Sequence, residues 1–206
     1  MEALEPLDCM LPVEPLTAGP RYHYFGYYDK TPWDATQRYV LCLEVDFFDR
    51  SQDPEDLATI GLIDTAEGCR IRPLAVTRAW NWQQGSMIHW LGSEPDRIFI
   101  HNDRDDRGLC SIVRDLNGRE VRRLPLPVYN VSEDGRTAVT LNFARLHRTR
   151  RGYGYCGVPD PGEGNLAPED DGIWIMDLDS GDKDVIITLA RMANHQPDER
   201  MPGAEH

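Results

Sequence analysis

The residues best suited to chemistry are concentrated near the start of this 206-residue chain, between Arg21 and Asp34. This stretch holds four of the eight tyrosines together with His23. Its alternation predicts a β-strand whose side chains line a pocket, with Tyr24 and Tyr27 as substrate contacts. The alternative is an aromatic core strand in which His23 is hydrogen-bonded and inert.

A second histidine, His89, falls on a different predicted strand, and two histidines from separate strands can begin a metal site or an acid–base pair. Other candidate substrate contacts form an aromatic and amide platform for a sugar, and they are Trp80, Asn81, Trp82, Gln83 and Tyr129. The platform has an equally good alternative, in which the two indoles pack between sheets and the amides cap turns.

One basic cluster stands out in an acidic chain, between Arg145 and Arg151. Arginine binds carboxylate or phosphate through two parallel hydrogen bonds, so the cluster predicts an anion clamp made of Arg145, Arg148, Arg150 and Arg151. A solvated loop is the alternative. The loop that begins at His101 offers His101, Asp103 and Asp105 as ligands for a hard metal, but a charged surface loop is the favoured interpretation there.

The composition excludes several classes of protein. The net charge of −13 opposes binding to nucleic acid or to an anionic membrane, since both need a basic face. We find no signal peptide and no apolar run of the ~20 residues that a membrane span needs. Five scattered cysteines without a C-x-x-C pair predict reduced thiols in a cytoplasmic protein, and neither zinc nor disulfides.

Two turn patterns alternate three times along the chain. An Asp–Arg turn between strands recurs near residues 34–38, 96–97 and 134–136, and a strand ending in Asp followed by Gly recurs at Asp64, Asp115 and Asp177. Four short strands per unit predict β-propeller blades, whereas a β-sandwich would not explain the alternation. We therefore expect an all-β arc of about three four-stranded antiparallel blades, covering residues 21–76, 77–124 and 125–193.

We predict that residues 1–20 form an extended lead-in and that residues 194–206 form a polar tail or linker. Because closed propellers have roughly four to eight blades, the expected arc is an incomplete propeller with two open flanks. We expect the remaining blades, or a protein partner, at those flanks. The longer connections, including residues 77–85, 101–108 and 143–171, should share one face of the disc, which predicts a functional face there.

The units that contain residues 131–136 and 175–181 resemble those of the TolB-like propeller superfamily, and the start of the first strand at His23 is similar to oligogalacturonate-lyase-like propellers. That resemblance implies a manganese site of His and Gln side chains, to which His23 and either Gln83 or Gln84 would contribute, with His89 as a further candidate. It also implies cleavage of uronate oligosaccharides with His23 in the site. For such a lyase we expect His23 and Arg145 to be catalytic, with Arg145 holding the substrate anion. The alternative is a non-catalytic propeller that binds a sugar or a protein.

Overall fold

The computed structural model describes residues 13–91 and 98–195 of the chain. Twelve strands form three four-stranded antiparallel sheets, and each sheet is made of four consecutive strands. In chain order they are β1 (Tyr22–Tyr24), β2 (Tyr39–Val45), β3 (Ala58–Asp64), β4 (Ile71–Thr77), β5 (His89–Trp90), β6 (Ile98–Asp105), β7 (Gly108–Asp115), β8 (Glu120–Leu124), β9 (Asn130–Val131), β10 (Thr137–Thr140), β11 (Gly172–Asp177) and β12 (Lys183–Thr188). The all-β fold class is thereby confirmed, and closure into a propeller ring and the unit boundaries stay predictions.

The strands form where apolar side chains alternate along the chain. In β2, Leu41, Leu43 and Val45 point to one face of the first sheet and are almost completely buried, while Val40 and Cys42 point to the other. Because side chains alternate across a strand, β2 buries apolar groups on both faces. It therefore lies inside the sheet, between β1 and β3.

The second sheet lies between the other two. Phe99 on β6 belongs to an apolar cluster with Leu41 and Ile60 of the first sheet, and it is fully buried. Its neighbour Ile100 belongs to a second cluster, with Ala138 and Met176 of the third sheet. Since Phe99 and Ile100 are adjacent, they face opposite ways, and both faces of the second sheet are covered.

The recurring Asp and Gly residues form the turn after the third strand of each sheet. The Asp64 carboxylate accepts a hydrogen bond from the Ala66 backbone N–H at 3.0 Å, and Asp115 and Asp177 bind backbone N–H groups in the same way. The glycines that follow, at positions 68, 118 and 181, have φ between 73° and 80°. Such a left-handed conformation favours glycine, and this explains the spacing in the sequence.

The strand predicted from Arg21 to Asp34 is shorter than expected. Only Tyr22–Tyr24 pairs with β2 as a strand, and Trp33 later forms an isolated bridge with Val40. The chain leaves the sheet at Gly26, where φ is 137° and an added Cβ would lie 2.6 Å from the Gln84 carbonyl oxygen. A neighbouring turn thus occupies the place where a continued strand would run.

Two short α-helices accompany the sheets in the described residues. Helix α2 (Leu189–Ala193) follows β12 directly, and the Thr188 side chain caps it by accepting a hydrogen bond from the Arg191 backbone N–H. Helix α1 (Phe143–Thr149) was not predicted, and Asn142 caps it by accepting hydrogen bonds from the backbone N–H groups of Ala144 and Arg145.

The outer face of the third sheet leaves Val139 and Ile187 exposed, and a partner at that flank stays a prediction. The Asp–Arg turn predicted near residues 96–97 lies outside the described residues.

Two turn glycines allow a controlled test of this packing. Gly68 and Gly118 have φ values of 73° and 79°, but a Cβ at Gly68 would meet nothing within 4 Å, whereas one at Gly118 would overlap the Leu74 carbonyl. We expect Gly68→Ala to lower the free energy of unfolding by about 1 kcal/mol, the cost of a left-handed alanine. Gly118→Ala should lower it by more than about 3 kcal/mol, because backbone must also move. Urea denaturation measures both, and equal losses would contradict the close packing of the β7–β8 turn against β4.

Candidate functional site

The first strands of the three sheets converge on a cavity of about 440 Å³, here called the inner cavity. Its walls come from residues 31–37 after β1, from His89 and Trp90 of β5, and from residues 131–133 at the end of β9. All three sheets thus contribute to one space. Concave sites of this size, where several elements meet, are typical of small-molecule binding.

His89 lines this cavity and has one ring nitrogen without a hydrogen-bond partner among the described residues. Its Nδ1 lies 3.0 Å from the Met87 carbonyl oxygen, so Nδ1 must carry the proton and Nε2 must be unprotonated. The Nε2 atom is shielded from solvent and has no hydrogen-bond partner in the described part of the chain. Burial lowers the pKa of His89 to about 4, which keeps the imidazole neutral at pH 7.

Gln84 provides a second buried acceptor without a partner. Its side-chain Nε2 donates to the Tyr129 hydroxyl at 3.3 Å, while Oε1 is buried and has no donor within the described residues. A buried polar atom left unsatisfied costs about 1–3 kcal/mol. His89 Nε2 and Gln84 Oε1, here called the acceptor pair, are therefore suited to a ligand that brings hydrogen-bond donors.

A tight turn holds Gln84 in place. The Asn81 side-chain oxygen accepts hydrogen bonds from the backbone N–H groups of Gln83 and Gln84 at 3.0 and 2.7 Å, and its amide nitrogen donates to the Gly154 carbonyl at 2.8 Å. Asn81 is fully buried. The turn from Asn81 to Gly85 is thus fixed from within, and Asn81 is not available to a ligand.

The predicted sugar platform is largely committed to packing. Trp80 is 1% exposed, its indole N–H donates to the Asp56 carbonyl, and its ring packs edge-on against Trp82 at 5.2 Å. The Tyr24 hydroxyl donates to the Asn81 carbonyl, and burial raises the pKa of Tyr24. Trp80 therefore offers no open ring face, and Gln83 is the exposed member of the group.

Lys30 is a cation close enough to His89 to affect its pKa. Its side chain is only 4% exposed, and its ammonium lies 3.0 Å from the Asp29 carboxylate and 5.7 Å from the centre of the Tyr129 ring. Its charge also helps to lower the pKa of His89. The sequence analysis named neither Asp29 nor Lys30 as a site candidate, and the structure brings both into this cluster. The available signal was composition, because only two of the 22 basic residues are lysines.

Tyrosine hydroxyls complete the cluster. The Tyr27 ring lies 4.6 Å from the Tyr28 ring and 6.5 Å from the Tyr153 ring. Partial burial, together with the nearby Tyr129, raises the pKa of Tyr27 to about 12, so the hydroxyl stays protonated. Of the predicted substrate contacts, Tyr27 and Tyr129 therefore lie beside the acceptor pair.

His23 lies apart from His89. Its Nε2 is 3.0 Å from the Glu44 carboxylate, with Arg21 on the other oxygen of that carboxylate. The cavity that His23 lines is formed by residues 17–21, 44 and 69–71, and it shares no residue with the inner cavity. The structure thus does not bring together the predicted metal set of His23, Gln84 and His89.

The predicted manganese site fits these residues poorly. Among the described residues no three His, Cys, Asp or Glu side chains are grouped as metal ligands. His89 and Gln84 have free acceptor atoms, but the ammonium of Lys30 beside them repels a cation. We therefore derive no chemistry through a metal.

The predicted anion clamp divides into two parts. Arg145 is buried and donates to the Asn165 and Leu166 carbonyls, while Arg148 lies 2.9 Å from the buried Asp160 carboxylate. Both arginines hold the loop that follows α1. Arg150 stacks on the Tyr153 ring at 4.1 Å, and Arg151 is exposed, so these two remain accessible.

His101, Asp103 and Asp105, which were considered as ligands for a hard metal, all form hydrogen bonds within the protein. His101 is fully buried, and its Nε2 accepts a hydrogen bond from the Arg114 guanidinium at 2.9 Å. Asp103 accepts from the Arg78 backbone N–H, and Asp105 from the Arg107 backbone N–H. A larger cavity, of about 570 Å³, lies between α1, β11 and the β8–β9 connection, and its lining includes five prolines and three acidic residues.

Comparisons with known proteins identify no family. No protein-family profile and no curated protein matches the chain. Among solved structures, it is similar to the AtxE2 isopeptidase with Astexin3-dC4 bound, at 15% identity and a TM-score of 0.41. The match covers 86% of this chain and 32% of the isopeptidase, so this chain spans about a third of that protein. Such a likeness carries no argument about function, and TolB-like membership stays a prediction. No described helix has the length and apolarity to cross a bilayer.

Two neutral, buried histidines make stability depend on pH. Burial lowers the pKa of His101 to about 3 and that of His89 to about 4, against an ordinary value of 6.5. The unfolded chain therefore binds more protons below pH 6.5, and the free energy of unfolding should fall as pH drops from 6.5 towards 4. We expect roughly 1 kcal/mol per pH unit from each histidine.

Urea denaturation between pH 7 and pH 5 measures this slope. His101→Gln should reduce the slope by about half, because one of the two groups no longer titrates. His195, which is exposed near the end of the described residues, gives the control: His195→Gln should leave the slope unchanged. A wild-type stability that is flat over this range would show that neither histidine is held neutral.

Proposed function

We propose that this chain is a carbohydrate-binding protein whose ligand binds at the cluster of Gln84, Tyr27 and Tyr129, next to the inner cavity that His89 lines. The observation that carries the proposal is the acceptor pair, His89 Nε2 and Gln84 Oε1, buried without donors within the described residues. Sugar hydroxyls are abundant hydrogen-bond donors, and a ligand that satisfies both atoms removes their desolvation cost.

The surroundings of the pair suit a sugar in other ways. The Tyr27 and Tyr129 hydroxyls can donate or accept, which matches the dual character of sugar hydroxyls. The exposed Tyr28 ring beside Tyr27 offers an apolar face at the edge of the cluster. A cavity of about 440 Å³ accommodates one to two sugar rings, within the range of small-molecule pockets.

A second candidate function, β-elimination on a uronate, is favoured by one observation, the neutral His89 with its free Nε2 lone pair. Such an imidazole can accept the proton next to a carboxylate as a general base. The predicted catalytic pair, His23 and Arg145, receives no comparable support, because His23 pairs with Glu44 and Arg145 holds a loop. Absorbance of an unsaturated uronate product tests this candidate, and a signal that survives His89→Phe would exclude His89 as the base.

Neighbouring glutamines provide a matched test of the binding proposal. Gln84→Met removes the buried acceptor at nearly constant volume, and Gln83→Met changes the exposed neighbour. We expect Gln84→Met to weaken sugar binding about tenfold, the value of a buried hydrogen bond. Its free energy of unfolding should stay within about 1 kcal/mol of wild type, because removing an unsatisfied acceptor offsets the lost bond to Tyr129.

Binding is measured by ligand-observed NMR against galactose, galacturonate and their short oligomers. Gln83→Met should bind as the wild type does. If wild-type protein binds none of these sugars, or if both variants lose binding equally, the inner cavity is not a carbohydrate site.

A further inference from the structure

We propose that the larger cavity, of about 570 Å³, is a second ligand site and that it binds an organic cation with an apolar body. This space between α1, β11 and the β8–β9 connection is here called the acidic cavity. It shares no lining residue with the inner cavity, and its volume is within the usual range of small-molecule pockets. The proposal is therefore independent of the carbohydrate site.

The wall of the acidic cavity at the start of α1 is held by Asn142. Its side-chain oxygen accepts hydrogen bonds from the backbone N–H groups of Ala144 and Arg145. Its amide nitrogen donates to the carboxylates of Asp160 and Asp171, at 3.0 and 2.9 Å. One side chain thus joins α1 to the loop after it and to the start of β11, so this wall is formed before a ligand arrives.

Asp171, which lines the cavity, has a carboxylate bound only by neutral groups in the described part of the chain. These groups are the Asn142 amide, the Gly172 backbone N–H at 2.8 Å and the Trp174 indole N–H at 3.4 Å. The side chain is partly buried. Because water screens such a charge incompletely, a cation in the cavity interacts with it more strongly than with a fully exposed carboxylate.

Two further carboxylates, those of Glu163 and Asp170, line the cavity and are exposed. Neither side chain forms a hydrogen bond or an ion pair within residues 13–91 and 98–195. Arg107 is the one basic residue among the described residues of the lining, so three carboxylates and one guanidinium leave a charge of −2. Lys183, whose ammonium lies 5.6 Å from the centre of the Trp174 ring, is not part of the lining. The cavity therefore favours a cationic ligand.

Apolar side chains line much of the same cavity. They comprise three leucines, five prolines, Phe143 and Trp174. A small polar ligand would leave these groups in contact with water, whereas a hydrocarbon or aromatic group would cover them. An ammonium or guanidinium attached to such a group pairs with the carboxylates and covers the apolar side chains at once.

A metal ion is a poor alternative occupant of the acidic cavity. A hard cation such as Ca²⁺ needs about six to eight oxygen ligands close together. Across the described residues, no three His, Cys, Asp or Glu side chains are grouped as metal ligands. An organic cation makes a smaller demand, because its N–H groups need only one or two carboxylates.

The test uses three probes that share one ring and differ in charge: benzylamine, which is a cation at pH 7, benzyl alcohol and benzoate. Binding is followed by NMR of the ¹⁵N-labelled full chain. Benzylamine should bind about tenfold more tightly than benzyl alcohol, the scale of one charge-assisted hydrogen bond, and benzoate should bind least. Benzylamine should shift the indole N–H signal of Trp174, and leave those of Trp33 and Trp90, which line the inner cavity.

Neighbouring acids provide a matched pair of variants. Asp170 lines the cavity and Glu169 does not, and both are exposed, so Asp170→Asn and Glu169→Gln each remove one negative charge from the surface. Asp170→Asn should weaken benzylamine binding about threefold, the scale of one exposed ion pair, and leave benzyl alcohol unaffected. Adding Glu163→Gln should bring the loss to about tenfold. Glu169→Gln should bind benzylamine as the wild type does.

Three results would overturn the proposal. The first is equal binding of benzylamine and benzyl alcohol, or of neither. The second is an equal loss in Glu169→Gln and Asp170→Asn, since the amine would then be attracted to the acidic chain as a whole. The third is a shift confined to Trp33 or Trp90, which would place the amine in the inner cavity. Sugar binding bears on the carbohydrate site alone, so the two proposals fail separately.

Discussion

The turn from Asn81 to Gly85 is the constraint on which the rest of the site depends. Asn81 binds two backbone N–H groups of its own turn and the carbonyl of Gly154, so one buried amide joins the second sheet to the loop after α1. The first sheet approaches the same turn so closely that a Cβ on either Gly26 or Gly85 would lie 2.6 Å from a backbone oxygen. The turn itself, the loop after α1 and the segment after β1 are thereby held against each other.

The position of the acceptor pair follows from this turn. Gln84 is the fourth residue of the turn, and the chain then enters β5 with His89 after five residues. Gln84 is therefore placed by backbone that Asn81 holds, and His89 lies on the strand that begins five residues later. Unsatisfied acceptors persist only where the surrounding structure holds them, and such sites are commonly functional.

The cluster beside the inner cavity combines one cation, Lys30, with two neutral acceptors, His89 Nε2 and Gln84 Oε1. Burial and the nearby Lys30 charge both lower the pKa of His89. The lysine therefore helps to keep the imidazole neutral and its Nε2 lone pair free.

Local sequence patterns determined the sheets, because alternation in β2 and the Asp-to-Gly turns at Gly68, Gly118 and Gly181 depend on nearby residues alone. They also indicated Tyr27, Gln84, His89 and Tyr129 as candidates. Only the tertiary structure decided which candidates meet, since burial and the loss of partners arise from contacts between distant residues. His23 pairs with Glu44 and Arg148 pairs with Asp160, whereas Lys30, which the sequence did not indicate, is buried beside Tyr129 by the packing of the sheets.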